Sequence, residues 1–405
     1  MKIVADLHIH SKFSRATSPN MNLEILTAWS RIKGISLMGT GDFTQPTWFS
    51  ELEKKLKETR KGSGFYTIDN KEPEIYFVPT AEIACIYSKN GKCRRNHIVL
   101  IAPSLVDAKR INEVLGKRGN LVSDGRPILG MDSEILAKTV LDVAPNTIIM
   151  PAHIWTPWFS MFGSNSGFDS VEECFESQTK NIFAIETGLS SDPEMNWRLS
   201  QLDKMSIVSN SDCHSPSKTG REATVFEIDP NFASLRNALK NSKKGEEILY
   251  TIEFYPEEGK YHYSGHRNCN YVQSPKDATK DGTICPVCKK PLTVGVMHRV
   301  EELADRPFGY KDKNRPLYKS LVPLLEIVAE SMGIVSTTSK KVHEEFLNII
   351  KKFNTEFNVL LDEPLKNIAK YDKRLADGIK RMREGNINII PGYDGVFGKV
   401  KIWKD

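Results

Sequence analysis

The first half of this chain predicts an α/β fold, built as a parallel barrel or an open wound sheet. Seven short runs rich in Ile and Val recur along residues 1–215, each with few charges, as strands covered on both faces require. Amphipathic stretches of helical period lie between them. Acidic and histidine residues stand at or near the ends of these runs, and a barrel gathers the carboxyl ends of its strands on one face.

The first run, Ile3–Leu7, leads into Asp6-Leu7-His8-Ile9-His10. Residues i and i+2 of a strand face the same side, so His8 and His10 can hold one ion together. A helical pattern, Leu23–Lys33, follows. The second run, Ile35–Met38, leads to Asp42 and then to the helical stretch Phe49–Arg60. The third, Ile75–Ile83, carries Glu82, a carboxylate able to bridge two ions. His97 opens the fourth run, His97–Ile101, and fits the scheme least well because it precedes its apolar residues. The helical stretch Ser133–Val143 comes next, then Thr147–Met150 with His153 beyond its end. Ser170 and Glu173 make a capping box for a further helix. Glu186 ends Ile182–Ile185, and Asn196–Lys204 reads as a helix. Ile207–Ser209 leads into Asp212-Cys213-His214, which repeats the i, i+2 geometry with a carboxylate and an imidazole. Cys213 then points away, into packing. Asp42 and Glu186 fit equally well as ligands and as caps or partners of ligands. Mixed histidine and carboxylate sets suit zinc, manganese or iron, and carboxylates also suit magnesium. Two such ions activate water and stabilise a leaving oxygen in phosphoester hydrolysis. His8, His10, Glu82 and Asp212 are the expected catalytic set.

Composition narrows the class. Of 405 residues, 40% are hydrophobic and 26% charged, as in a soluble globular protein. The opening MKIVADLHIH lacks the apolar core of a signal peptide, and no apolar run is long enough to span a bilayer, so the expected location is cytoplasmic, without a membrane partner. The net charge of +5 lies wholly in the later part: residues 1–250 balance at 30 Lys and Arg against 30 Asp and Glu, whereas 251–405 hold 26 against 21. That suits a nucleic-acid-facing module and equally a set of solvated helix faces. No GxGxxG follows the first strand and no GxSxG occurs, which leaves dinucleotide binding and serine hydrolysis without support.

The seven cysteines are uneven. Cys269, Cys285 and Cys288 cluster, and His266-x2-Cys269-x15-Cys285-x2-Cys288 has the spacing of a closed structural zinc site. Cys285-Pro286-Val287-Cys288 forms the knuckle, and His262 and His298 compete with His266 for the fourth place. The expected organisation is a catalytic barrel over 1–225, a closing segment and connector over 226–258, a zinc-binding module over 259–298 and a helical DNA-binding region over 299–405. Leu321–Met332 and Lys341–Phe353 are its clearest helices.

HxH after the first strand, then Glu, His, His and a final DxH, resembles the PHP (polymerase and histidinol phosphatase) superfamily over about residues 1–225. The resemblance implies a distorted seven-stranded (β/α) barrel with a two- or three-metal centre. It implies His8, His10, Glu82, His97, His153, Asp212 and His214 as ligands. Ala16 and Phe43 stand where many members have histidines, so the ion those residues would hold is absent, weaker or bound through Asp42. A carboxylate-dominated site favours Mg2+ or Mn2+ over Zn2+.

The barrel motifs followed by HRNC…CPVC, Val300–Arg306 and Pro391-Gly392-Tyr393-Asp394-Gly395 resemble the endonuclease Q family over essentially the whole chain. That resemblance implies nicking of DNA 5′ to deoxyuridine, deoxyinosine, deoxyxanthosine and abasic sites, leaving 3′-hydroxyl and 5′-phosphate ends. Archaeal members bind the sliding clamp through a C-terminal motif, and the end of this chain holds no convincing clamp-binding box. A damaged base must be exposed or flipped from the stack. Trp155, Trp158, Phe159 and Phe162 follow His153 and serve equally as a stacking wedge or as packing between domains. Arg15, with Ser14 and Lys12, and Arg94, with Arg95, are candidate phosphate contacts, as is the PGYDG turn through its amides. Two rivals remain: a PHP phosphatase of small phosphomonoesters and a non-catalytic DNA-binding protein with a degenerate barrel.

Overall fold

The computed structural model describes residues 1–68 and 75–404. Lys2–Asp6 lies inside an eight-stranded sheet, between Leu37–Gly39 and Ala223–Glu227. The sheet extends through Tyr76–Val78 on one side and through Glu247–Glu253 and Leu317–Ser320 on the other. A four-stranded sheet holds the hairpin Thr80–Lys89 and Lys92–Ile101, flanked by Ile128–Leu129 and Ile148–Pro151. Ala184–Glu186 and Ser206–Val208 form a parallel pair.

The architecture is α/β, as expected, but it is mixed rather than parallel. Lys2–Asp6 runs antiparallel to Ala223–Glu227, and Lys92–Ile101 runs antiparallel to both of its long neighbours. No closed barrel forms among the described residues. The sheets meet at isolated contacts instead, such as Phe43 N to Thr80 O at 3.1 Å and the parallel bridge of Ile9 with Cys213, made by His10 N to Cys213 O at 3.1 Å and Asp212 N to His8 O at 2.8 Å. Three of the strands that would complete a ring are three residues long, and site loops take over where they end.

The hairpin corrects the reading of His97. Asn90 and Gly91, at φ 53° and 74°, make the two-residue turn that joins its strands. His97 therefore sits in mid-strand opposite Ala84, beside Glu82, rather than at the head of a strand.

Helices Leu23–Lys33 and Ser133–Val143 form where their periods and caps place them. The Asn22 side chain accepts from Ile25 N, and the Asp132 side chain accepts from Glu134 N. Ser170 caps only the short helix Val171–Phe175. The stretch 196–204 divides into Pro193–Trp197 and the 3-10 turn Ser200–Leu202.

The C-terminal part is helical over Leu324–Ser331, Lys340–Phe353, Leu365–Tyr371 and Lys373–Arg383. It also lends Leu317–Ser320 to the main sheet. It docks on the N-terminal half through a buried ion pair, Lys33 Nζ to Glu356 Oε2 at 2.6 Å. No helix among the described residues is long and apolar enough to cross a membrane.

Candidate metal centre

Glu82 organises the site. Its side chain is buried, and its two oxygens face different sets of partners. Oε2 lies 3.2 Å from His10 Nε2, 3.6 Å from His8 Nε2 and 3.1 Å from Arg126 Nη1. Oε1 lies 2.6 Å from His97 Nδ1 and 3.3 Å from His153 Nε2. Asp212 Oδ1 completes the first set, 3.1 Å from His10 Nε2 and 3.7 Å from His8 Nε2. The structure therefore brings His8, His10, Glu82 and Asp212 together as one group of ligand atoms, and Glu82, His97 and His153 as a second.

The donor set fits cations. His8 Nε2 is buried without a hydrogen-bond partner, yet it faces two carboxylate oxygens. Two negative oxygens about this nitrogen call for a positive charge between them, supplied by a proton on the ring or by a bound cation. Burial opposes charge on His8, but Glu186, Asp212 and Glu82 hold its pKa well above the ordinary value. Burial likewise pushes Glu82 up, and His97, Arg126 and His8 outweigh it and hold the carboxyl well below its usual range. His97 is pushed down to about 4, by burial first.

Asp42 and Glu186 lie behind the imidazoles, outside both groups of converging ligand atoms. Asp42 Oδ2 accepts from Ser11 N, Ser11 Oγ and Ser14 Oγ, while its Oδ1 lies 3.1 Å from His10 Nδ1. Glu186 Oε2 lies 2.9 Å from His8 Nδ1 and accepts from His153 N at 2.8 Å, and its Oε1 accepts from Asn210 Nδ2. Each carboxylate fixes a ring so that the opposite nitrogen faces inward. Their oxygens are turned to these hydrogen bonds, away from the point where the ligand atoms converge. His214 also stays outside the two groups: its ring packs on His10 with centroids 4.4 Å apart, and its Nδ1 lies 3.1 Å from the Asp212 carbonyl oxygen.

Three residues of the site hold the left-handed backbone. Asp42, His153 and Asp212 have φ of 50°, 29° and 45°. Gly125 is required by close approach, because a Cβ there would lie 2.3 Å from Asp42 Oδ2.

Several expected DNA contacts lie elsewhere. Trp155 is fully buried and donates from Nε1 to Asn196 Oδ1, so it is core and not a stacking surface. Arg94 lies 4.1 Å over the Phe168 ring and donates to the Gly167 carbonyl, which ties it to packing. Phe159, at φ 63°, rests on the His97 ring at 4.9 Å. Trp158 is 39% exposed and meets Tyr261 edge to face. Arg15 is exposed beside Asp124. Lys12 pairs with Glu51. In the PGYDG turn, Asp394 accepts from Arg267 N and Thr293 Oγ1, and Gly392 N donates to Glu257 O, so the turn anchors neighbouring segments.

Arg126 was missed by sequence reasoning. It stands in a Ser-Asp-Gly-Arg-Pro loop that matches no motif.

The second cluster is His266, Cys269, Cys285 and Cys288. His266 Nδ1 lies 3.2 Å from Cys269 Sγ and 3.3 Å from Cys288 Sγ. Burial pushes the Cys285 thiol up, yet the amides of Cys288 and Val287 and the His266 ring bring it to about 6. Of the competitors, His298 pairs with Glu302 and His262 lies outside the cluster.

The family model of the MJ0043 C-terminal domain matches residues 323–386. The MJ0043 protein of Methanocaldococcus jannaschii is 34% identical over 256 residues, which are 61% of this chain but only 31% of that protein's length. The crystal structure of the lesion-specific endonuclease PfuEndoQ from Pyrococcus furiosus matches with a TM-score of 0.87 at 31% identity, covering 99% of this chain and 95% of that one. Endonuclease Q in complex with a 27-mer duplex that has an abasic lesion at the active site matches with a TM-score of 0.87 at 32% identity, covering 100% and 97%. Likeness at this identity, end to end in both chains, shows that this chain belongs to the endonuclease Q family.

Proposed function

We propose that this protein is a metal-dependent DNA repair endonuclease. It hydrolyses the phosphodiester on the 5′ side of deaminated bases and abasic sites, leaving 3′-hydroxyl and 5′-phosphate ends. The observation that carries this reading is Glu82, one buried carboxylate whose two oxygens face two separate ligand sets. The solved relative bound to a duplex with an abasic lesion supports damaged DNA as the substrate.

His8, His10, Glu82 and Asp212 would hold one cation, and Glu82, His97 and His153 a second. When bound, the cations activate a water and offset the charge gathering on the phosphate. Asp42 and Glu186 keep the His10 and His8 rings oriented throughout. Arg126, held on Glu82, adds a fixed positive charge beside the centre. Mg2+ or Mn2+ suits the carboxylate-rich first set, and Zn2+ the imidazole-rich second. The His266, Cys269, Cys285 and Cys288 cluster would hold a structural zinc, closing its module as a tetrahedral site.

The test is a duplex with one deoxyuridine or one abasic site, end-labelled, with Mg2+ or Mn2+ and beside an undamaged duplex. Single nicks 5′ to each lesion and none in the control are expected. Release of phosphate from small monoesters without nicking would overturn the proposal.

A further inference from the structure

The segment Val300–Arg306 belongs to neither metal cluster, yet with the neighbouring Arg299 it grips the N-terminal half at two places. Arg306 Nη1 donates to Trp197 O at 2.9 Å and to Asp203 Oδ1 at 2.8 Å, and Asp305 Oδ1 accepts from Ser200 N at 2.9 Å. Arg299 reaches a different segment, the loop that follows His153. Its Nε donates to Phe162 O at 3.2 Å and its Nη2 to Phe168 O at 3.1 Å, and it pairs with Asp169. The side chain is 14% exposed. A planar guanidinium bonds two carbonyls of one loop at once, which an ammonium does not reproduce.

That loop, 154–168, is built into the metal centre. Where Ile148–Pro151 ends, the loop becomes the neighbour of Lys92–Ile101: Arg95 N donates to Ser166 O at 3.3 Å and His97 N to Phe159 O at 3.0 Å. Ser160 Oγ donates to His153 O at 2.7 Å and lies 3.1 Å from His153 Nδ1. A partner on Nδ1 fixes how Nε2 is presented to Glu82. Phe162 N donates to Ile154 O at 2.8 Å and Phe168 N to Met161 O at 2.6 Å, which folds the loop on itself. His153 and Phe159 hold φ of 29° and 63°, a backbone kept only where the surroundings enforce it.

Arg299 stands on the helix Val296–Leu303, which is tied to the cysteine module. Gly295 N donates to Ser264 Oγ at 3.0 Å, and Gly265 and Thr293 exchange backbone bonds of 3.1 and 3.0 Å. Ser264–His266 ends in the first residue of the cysteine cluster. Bonded contacts therefore run from that cluster through the helix and Arg299 to His97 and His153.

We infer that Arg299 is a positioning residue for the group Glu82, His97 and His153: it holds the 154–168 loop so that both imidazoles face Glu82, and it makes cation affinity there depend on a closed His266, Cys269, Cys285 and Cys288 cluster. The inference rests on the metal-centre reading above and is independent of which lesion is cut.

The test is a Co2+ titration of the chelator-treated full chain. Cobalt accepts carboxylate, imidazole and thiolate ligands, and a near-ultraviolet thiolate band separates the cysteine cluster from the centre. Arg299→Met keeps the thiolate band and weakens one of the two sites at the centre by about tenfold or more, as loss of a support behind metal ligands does. Arg299→Lys falls between. Cys285→Ser weakens the same site, and adding Arg299→Met to it changes little further. Arg306→Met lowers the melting temperature and leaves both sites at the centre as in the wild type. One arm needs no variant: with the cluster filled by zinc, Co2+ at the centre slows amide exchange in Val296–Leu303, because coupling is reciprocal. The inference is overturned if Arg299→Met lowers melting but not cobalt affinity, if Arg306→Met weakens the same site as much, or if Co2+ leaves exchange in that helix unchanged. Wild-type protein that binds Co2+ at the cysteine cluster alone refutes the metal-centre reading, and this inference with it. Wild-type protein that fills the centre and nicks neither lesion refutes the endonuclease reading alone.

Discussion

Gly188→Ala is expected to disable the metal centre without replacing any residue of the two ligand groups. Gly188 lies at φ +60°, and a Cβ there would sit 2.3 Å from the Cβ of His153 and 2.7 Å from its Cα. Carbon atoms settle at about 3.5 Å or more, so the two residues must part by roughly 1 Å. His153 has little freedom to yield. Its φ is 29°, its amide donates to Glu186 Oε2 at 2.8 Å, and its Nε2 lies 3.3 Å from Glu82 Oε1. A displacement of that size at a reacting centre costs about 100-fold in rate. The left-handed backbone adds about 1–2 kcal/mol of strain for any residue with a Cβ. Gly62→Ala isolates that second effect, since Gly62 lies at φ +79° with nothing within 4 Å of an added Cβ. Nicking rate, thermal midpoint and bound metal would be measured for both variants. Both should lose stability from backbone strain, and only Gly188→Ala should lose about 100-fold in rate together with bound metal. A Gly188→Ala protein that nicks at the wild-type rate would show that His153 has no part in the working centre.

Lys33→Met strands the Glu356 carboxylate, both side chains being 4% exposed in the pair, and should cost about 3–5 kcal/mol in urea unfolding. Lys33→Met with Glu356→Gln should recover most of it, and no recovery would mean that the pair does not hold the two halves together. Burial raises the Glu253 carboxyl to about 8, against roughly 4 in an unfolded chain. Its contribution is present below pH ~4 and is lost as pH climbs through about 8, so stability should fall across that window and Glu253→Gln should flatten the fall. An identical pH profile in the variant would place the titration elsewhere. Trp158→Ala should weaken nicking of damaged duplex with little change in melting, since the ring is 39% exposed. An unchanged rate with a lowered melting temperature would make Trp158 packing against Tyr261.

The residues of the two converging groups are legible because metal chemistry restricts residue type and strand geometry restricts spacing. His8 and His10 share a side, and Asp212 returns to them from the far end of the half-chain. What the one-dimensional pattern could not give was which carboxylates face inward. Asp42 and Glu186 follow or end short strands much as Asp212 does, and hydrogen bonding puts them behind the rings. His97 does not fit a series of parallel strands because its strand is the second arm of a hairpin, antiparallel to its neighbours. The Asn90-Gly91 dipeptide is the hairpin signal that turns the chain back and sets His97 in mid-strand. Trp155 and Trp158 are three residues apart and alike in type, yet one is buried, with its Nε1 donating to Asn196 from another segment, and the other is at the surface. Arg126 had no signal, since an arginine in a polar loop is ordinary until Glu82 is found beside it.

The most direct test of the central claim is the chemistry of the cut ends with and without divalent metal. A duplex with one deoxyuridine is treated with the metal-loaded protein, with chelated protein and with His8→Ala, and the nick is offered to a DNA polymerase and to a DNA ligase. The account predicts one nick 5′ to the uridine, extendable from its 3′-hydroxyl and resealable through its 5′-phosphate, made by the loaded protein alone. Nicking that persists after chelation and in His8→Ala, or ends that neither enzyme accepts, would contradict it.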